Sequence, residues 1–364
     1  MKGKFIWKIA SYDDIFSIFR LSVLIEIKKR PNVVKIGNKK LLLLTVNIIE
    51  TILQLTANIS FVMQSKTFMS KTNMSMTIIA LTHRWILHFR IGRLHSLSKR
   101  ATKLSEELSI PVSDRFNKWA DMFAKLNFLL YAPLVAVSFI SLYGINFRDM
   151  VFGYDCDVVL SVILIIIFLI SLFGFLLLPL SAFSMYYTYL CLNLGSIMKQ
   201  FQQSLDVLLK HKPEYTLRLY LSIKELVENM DSDLSLLMFT TSLHNASTMY
   251  FGVTIWLHSE EYGTLSSLSS VWILLTMSYI GFISMGISGS FVHETASDVY
   301  TEAEKRLNNG NRPAEPLRQF LKVVDKELFL TVWRIVPIKR SFILGTIGTI
   351  FTYCILLETV QDMY

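Results

Sequence analysis

The chain has 364 residues, of which 52% are hydrophobic and only 18% are charged, and its mean hydropathy is +0.44. Soluble domains carry about 25% charged residues, so this composition excludes an ordinary soluble enzyme, and a chain this apolar is also not intrinsically disordered. With 15 Gly, 8 Pro and 3 Cys it is unlike collagen or a disulfide-stapled domain. The composition predicts one all-α integral membrane domain, whose net charge of +8 belongs to loops at the membrane surface rather than to a nucleic-acid site.

Seven stretches are long and apolar enough to be read as membrane spans, for which about 20 apolar residues are needed. In chain order the predicted transmembrane helices are 40–63, 74–92, 124–144, 158–190, 236–257, 267–291 and 341–360. The fourth has no charge and is longer than one span needs, so we expect tilt, a kink at Pro179 or continuation into the cytosol. The second contains Arg84, for which we expect a carboxylate or helix carbonyl as partner, or alternatively a ligand.

Lysine and arginine fall almost entirely on one side of these spans. With the N-terminus in the cytosol, the cytosolic segments hold 31 of the 36 basic residues and the opposite loops hold three. The basic segments are 1–40, 93–125, 199–230 and 293–340. Because basic residues near span ends are retained in the cytosol, the sequence predicts a cytosolic N-terminus and an extracellular C-terminus. This orientation is the inverse of that of G-protein-coupled receptors.

The segments between the spans suggest how the chain is organised. The expected parts are an amphipathic cytosolic segment (1–39), six transmembrane helices with cytosolic helical extensions (40–292), a cytosolic anchor linker (293–340) and the last helix with a short extracellular tail (341–364). Apolar residues at helical spacing in the extensions predict a helical subdomain beneath the membrane, where subunits meet. Asp231 and Asp233 are expected to be solvated residues at the start of the fifth helix.

Catalytic and metal-binding signatures are missing from the sequence. His293 and Glu294 are not followed by the second histidine of a zinc protease motif. The cysteines lie in separate segments, so we expect Cys191 and Cys354 to be small packing residues and Cys156 to be a loop thiol, solvated or reactive. We therefore predict no enzyme activity, no cofactor and no metal.

The last span has a regular polar pattern. One helical face carries small and hydroxyl residues at spacings of four and three, namely Gly345, Thr349, Thr352, Leu356 and Thr359. Such a face is typical of close packing against neighbouring membrane helices. It is also the pattern of a water-lined pore helix, with Glu358 near the outer end supplying a carboxylate. The residues alone leave both interpretations open.

The same helix resembles a known signature. Residues 352–357, T-Y-C-I-L-L, resemble the Thr-Tyr-plus-hydrophobics motif in the last helix of insect gustatory receptors, which belong to the seven-span chemoreceptor superfamily that also contains the insect odorant receptors. In that family the motif continues through a fifth hydrophobic residue to Gln-Phe, where this chain has Glu358, Thr359 and Val360. The seven spans, the cytosolic N-terminus and the basic 293–340 linker are also similar to the family.

The resemblance implies a ligand-gated, nonselective cation channel, assembled as a homo- or hetero-tetramer with related receptor subunits around the last helix. It implies a small organic tastant as ligand and a location in the plasma membrane of a sensory neuron. Thr352, Tyr353 and Leu356 match the family motif, and Thr359 stands where the family has its pore glutamine. The residues expected to line the pore are Thr349, Thr352, Leu356, Glu358 and Thr359.

Ligand binding in such receptors is expected in the outer half of the bundle, between the second and sixth helices. The aromatic residues expected there are Phe139, Tyr143, Tyr250, Trp256, Trp272 and Tyr279, with polar groups from Thr254, His258 and Thr276. Alternatively, these aromatic residues mark membrane interfaces, where Trp and Tyr are enriched. For the whole chain the alternatives are a membrane transporter, against which the lack of an internal repeat counts, and a non-conducting modulatory chemoreceptor subunit.

Overall fold

The computed structural model describes residues 34–65, 68–108, 122, 129–131, 133–140, 157–257, 265–309, 315–324 and 328–361. These residues are almost entirely helical. The helices are α1 Val34–Ser65, α2 Phe68–Glu107, α3 Leu129–Ile140, α4 Val158–Ile170, α5 Leu178–His211, α6 Pro213–Leu257, α7 Leu265–Asn309, α8 Glu315–Val324 and α9 Arg340–Gln361. A two-stranded antiparallel hairpin, β1 Thr331–Val332 and β2 Val336–Pro337, precedes α9. The predicted segment 1–39 lies outside the described residues except for its last six.

The predicted spans all coincide with helix wherever the structure describes them. Among the described residues, Leu44–Met63, Val158–His211 and Leu268–Arg306 are helical stretches long and apolar enough to cross a membrane, and two shorter apolar helices are Leu129–Ile140 and Arg340–Leu356. The all-α class is confirmed. The count of seven spans and the side on which each terminus lies stay predictions.

The fourth predicted span is an unusual helix. Asp157 caps its start by accepting a hydrogen bond from the Val158 amide at 3.0 Å. The helix then widens into a π-helical segment, Ser171–Leu177, and continues as α5 through Pro179 to His211. Proline has no N–H, so the carbonyl of Phe175, four residues earlier, has no α-helical donor. The sequence therefore leaves an unused acceptor inside the bundle.

The largest core lies along the helical extensions rather than within the predicted spans. α5 packs along α7 and α2 along α6, and aromatic rings of Phe201, Tyr220 and Phe320 meet with centroids 5.4–6.1 Å apart. Burial, helped by the nearby Glu228, raises the pKa of Tyr220 to about 12. Close packing of these extensions makes one continuous body from the predicted membrane region to the end of α8.

Asp231 and Asp233 are not at a helix start, so that prediction was wrong. Between Pro213 and Gly252 the sequence has no glycine or proline, and α6 runs unbroken through both aspartates. Oδ1 of Asp231 accepts hydrogen bonds from the amide and the hydroxyl of Thr331 at 2.6 and 2.7 Å. Asp231 therefore ties the hairpin to α6.

Candidate functional site

Helix α9 packs on one face only. Ile343, Ile350 and Cys354, at helical spacings of seven and four, are buried against α6 and α7. The contact is close because Gly286 of α7 has no side chain: a Cβ placed there would lie 2.5 Å from Cγ1 of Ile343. Cys191 and Cys354 are free and buried, which confirms them as packing residues. Cys156 lies outside the described residues.

The predicted polar face of α9 is directly opposite its packed face. Thr352 follows the buried Ile350 by two residues, which is about 200° around the helix. We call the face formed by Gly345, Thr349, Thr352, Leu356 and Thr359 the polar stripe. All five residues are exposed in the single chain. The part of the chain that the structure describes leaves this face uncovered.

The threonines of the polar stripe are oriented by their own helix. The hydroxyls of Thr349, Thr352 and Thr359 donate to the carbonyls four residues earlier, at 2.8, 2.9 and 2.9 Å. With its proton engaged, each oxygen keeps lone pairs for other donors or cations. Tyr353 of the motif is 60% exposed, and Glu358 belongs to α9 although its side chain lies outside the described residues. The stripe can therefore present hydroxyl oxygens to water or to a cation.

Arg84 donates a hydrogen bond to the Phe175 carbonyl, which has no α-helical donor because residue 179 is a proline. Its guanidinium donates to the Phe175 carbonyl at 3.1 Å and to Oδ1 of Asn47, and lies 4.4 Å from the centroid of the Phe175 ring. Ser171 beside it donates to Glu50. The helix carbonyl expected as the partner of Arg84 is confirmed, and this arginine joins α1 and α2 to the π-helical segment.

A small, partly open space lies among α3, the end of the π-helical segment, α5, α6 and α7. We call it the polar cavity; its volume is about 50 Å³, room for about three water molecules. Its lining includes the apolar side chains of Leu134 and Met277. Its polar lining comes from Tyr131, Ser181, Ser184, His244, Asn245 and Ser278.

One polar group of this cavity is unsatisfied. Nδ2 of Asn245 is buried and has no hydrogen-bond partner among the described residues. Gly281 leaves the space in front of it open, because a Cβ there would lie 3.6 Å from Asn245 Nδ2 and 3.8 Å from Ser184 Oγ. A buried amide without an acceptor is costly, so the cavity is suited to a small molecule or water with a hydrogen-bond acceptor.

Helix α7 borders the polar cavity and also carries the residues against which α9 packs. Ser278 and Gly281 of α7 border the cavity, while Phe282 contacts Phe342 of α9 with ring centroids 5.7 Å apart. The side chain of Ile343 of α9 packs against Gly286. These contacts lie within about two turns of α7, so a change in the cavity acts on α9 through a single rigid element.

None of the described aromatic residues predicted to bind ligand lines the polar cavity. Phe139 borders an open apolar groove of about 750 Å³ between α3 and the α4–π helix. Tyr250 and Tyr279 are half-buried beside α9, against the cluster that holds Ile350 and Cys354.

Trp256 and Trp272 pair with ring centroids 6.1 Å apart near the ends of α6 and α7, where they are 54% and 48% exposed. Thr254 and Thr276 donate to carbonyls of their own helices. Tyr143 and His258 lie outside the described residues. The exposure of the two tryptophans is what a membrane-interface position requires, and the ligand-binding set stays a prediction.

The residues of the polar cavity were missed at the sequence level. Their signal is polar side chains within predicted spans: Ser184 and Ser278 singly, and His244 and Asn245 together in the polar stretch 240–248. Each is unremarkable alone, because serine and histidine also satisfy themselves within membrane helices. Only the packing of α5, α6 and α7 brings them together.

Comparison with known proteins gives a likeness of fold. No family model matches the chain, and no curated protein matches it by sequence. The solved structure of the insect olfactory receptor OR5 from Machilis hrabei superposes with a TM-score of 0.70 at 12% identity, covering 96% of this chain and 97% of the receptor. The same receptor in complex with eugenol gives a TM-score of 0.72 at 13% identity, with coverages of 96% and 98%. The chain therefore shares its fold with this insect olfactory receptor over 96% of its length.

Proposed function

We propose that this chain is a subunit of a ligand-gated, nonselective cation channel that acts as a gustatory chemoreceptor in the plasma membrane of a sensory neuron. The observation that carries the proposal is the polar stripe of α9, which lies opposite a packed face and is left uncovered by the other described residues. The fold shared with OR5 supports it.

The polar stripe suits a pore formed by several copies of α9. Thr349 and Thr352 present hydroxyl oxygens one turn apart, and Thr359 presents another two turns further on. A ring of such oxygens around an axis replaces part of the water shell of a passing cation. A homo- or hetero-tetramer with related subunits would place four such faces around one axis. Packing of the stripe against an apolar neighbour instead would leave these oxygens unused.

The polar cavity suits a small organic ligand with a hydrogen-bonding group. OR5 was solved in complex with eugenol, a molecule that combines an aromatic ring with a hydroxyl, and Asn245 and Ser184 offer matching groups here. Pockets for such ligands usually have about 300 Å³ or more, whereas this cavity has about 50 Å³. A ligand must therefore widen the cavity, and α7 transmits the displacement to α9. Differential binding to the widened state is what opens the channel.

The test is electrophysiological. Cells without endogenous responses express this chain alone and are challenged with bitter compounds, sugars and phenols while whole-cell current is recorded. We expect ligand-evoked cation current, with a reversal potential that shifts in Glu358→Gln if that carboxylate lies in the field of the pore. Thr352→Val should reduce the evoked current about fivefold, the equivalent of one hydrogen bond of about 1 kcal/mol.

A matched control separates pore lining from helix packing. Thr346→Val makes the same change off the polar stripe, where the hydroxyl also donates to a carbonyl of its own helix. If Thr346→Val reduces the current as much as Thr352→Val, the stripe does not line a pore. Surface labelling confirms that both variants reach the membrane.

One observation favours a second candidate, a modulatory subunit that conducts poorly alone. Thr359 and Val360 replace the Gln-Phe that ends the family motif. Current absent in cells expressing this chain alone, but altered when it is expressed with a conducting receptor of the same fold, would identify this role. Slow substrate uptake without current would instead indicate a transporter.

A further inference from the structure

The hairpin before α9 turns through two residues poorly suited to the turn. Trp333 and Arg334 have φ of 53° and 58°, and the Ile335 amide donates to the Val332 carbonyl at 3.1 Å. Left-handed φ at both central positions is the pattern of a type I′ turn, which favours Asn and Gly. Bulky residues adopt it only at an energetic cost. A tryptophan and an arginine in these positions indicate that their side chains are needed there.

The turn is held firmly against α6. The Trp333 amide donates to the Ser235 carbonyl at 3.0 Å, and the Trp333 ring lies 4.7 Å from that of Phe239. Asp231 fixes the preceding strand through both groups of Thr331. The position of the turn relative to α6 is therefore set by the fold.

The tip of the turn nevertheless exposes apolar surface. Trp333 is 52% exposed, Ile335 71% and Val336 42%. Arg334 beside them is exposed and donates to Ser232. An exposed apolar patch that includes an arginine is suited to the membrane interface, where apolar lipid chains lie next to anionic head groups.

The depth of the turn identifies that surface. Phe239, the ring against Trp333, lies in the first turn of the predicted span 236–257, and the predicted span 341–360 begins a few residues after the hairpin. The tip therefore lies where two spans leave the membrane on the predicted cytosolic side. Arg93 and Arg340, with 68% and 76% of their side chains exposed, lie on the same side, where they pair with Asp233 and Glu294. Basic residues at this depth are attracted to the anionic lipids of the cytosolic leaflet.

We propose that residues 333–336 form a membrane-docking element, which inserts Trp333 and Ile335 into the cytosolic leaflet while Arg334 binds anionic lipid phosphates. Docking fixes the depth at which α9 enters the bilayer. The inference rests on α9 crossing the membrane and does not require that the protein conduct ions.

The test places a fluorescent reporter on the tip in the full chain. Ile335→Cys, combined with Cys156→Ser, is labelled with an environment-sensitive dye and reconstituted in nanodiscs of phosphatidylcholine, with or without phosphatidylserine. Ser222→Cys, an exposed position on the extension of α6, is the control. We expect blue-shifted emission at 335 that brominated lipid chains quench, and water-like, unquenched emission at 222. Omitting phosphatidylserine should lower the lipid-contacting fraction about fivefold, as one basic residue near an anionic surface predicts.

A second variant separates docking from folding. Trp333→Asn with Arg334→Gly gives the turn the residues it favours, so the hairpin should remain folded while the blue shift and the quenching are lost. Water-like emission at 335 in the starting protein would overturn the proposal. So would blue-shifted emission that brominated lipids do not quench, because a second copy of the chain would then cover the tip.

Discussion

The close packing of α9 against α7 depends on one glycine, Gly286. A Cβ at position 286 would lie 2.5 Å from Cγ1 and 2.8 Å from Cδ1 of Ile343, whereas carbon atoms in contact are about 3.5–4.0 Å apart. In Gly286→Ala, α9 must therefore move away from α7 by about 1 Å, or Ile343 must leave its rotamer. Overpacking of this kind costs about 1–3 kcal/mol. Because α9 packs mainly against α6 and α7, it is the element free to move.

Two measurements follow from this displacement. Thermal unfolding of the purified protein in detergent should shift down by about 1–4 °C. In the current assay, a change of this size in the balance of closed and open states should shift the half-maximal ligand concentration at least about fivefold. Ile343→Ala removes the atoms that clash, so the double variant should regain part of both losses.

Gly92→Ala is the matched control, because a Cβ there would meet no atom within 4 Å. Its helix should be slightly stabilised by the better propensity of alanine. Gly286→Ala could change the unfolding temperature and the half-maximal ligand concentration no more than Gly92→Ala does, or its effects could simply add to those of Ile343→Ala. Either result would show that the contact between Gly286 and Ile343 does not position α9.

Three further changes test the polar contacts. Arg84→Leu leaves the Phe175 carbonyl without its donor and should cost about 2–3 kcal/mol in thermal unfolding; an unchanged midpoint would contradict the role given to this arginine. Asp231→Ala removes the acceptor of both hydrogen bonds from Thr331, so hydrogen exchange of the Thr331 amide should accelerate at least about tenfold, whereas native protection would show that the hairpin stands alone. Asn245→Leu fills the polar cavity with an apolar group and should raise the half-maximal concentration of a hydroxyl-bearing ligand about tenfold, and an unaltered response would place the ligand elsewhere.

The architecture of α9 could be read from the sequence because it depends on local periodicity. Spacings of four and three put Gly345, Thr349 and Thr352 on one face, and the structure packs the opposite face through Ile343 and Ile350. The pattern states which residues share a face, but not what lies against it. Whether this face lines a pore or packs against another helix depends on the assembly, so the periodicity left both interpretations open.

The polar cavity could not be read in the same way, because it is assembled from residues far apart in the sequence. Asn245 and Ser278 lie on different helices, and neither has a spacing that marks a site. The hairpin was missed for another reason. Trp333 and Arg334 are the opposite of what a tight turn favours, so the local sequence contradicts the local structure, and Asp231 shows its role only through contact with Thr331.

The close spacing of these features on α7 would give the proposed channel a route from the polar cavity to α9. Ser278 and Gly281 border the polar cavity, and Gly286 seats α9. A helix moves as a rigid unit over so short a distance, so widening the cavity displaces the seat by a comparable amount. Gly286 lets α9 lie close enough to α7 for that displacement to matter, because a Cβ there would lie 2.5 Å from Cγ1 of Ile343, whereas a Cβ at Gly281 would make only ordinary contacts with Asn245 and Ser184. In the proposed channel, the exposed helix α9 is therefore the element expected to respond when a ligand enters the polar cavity.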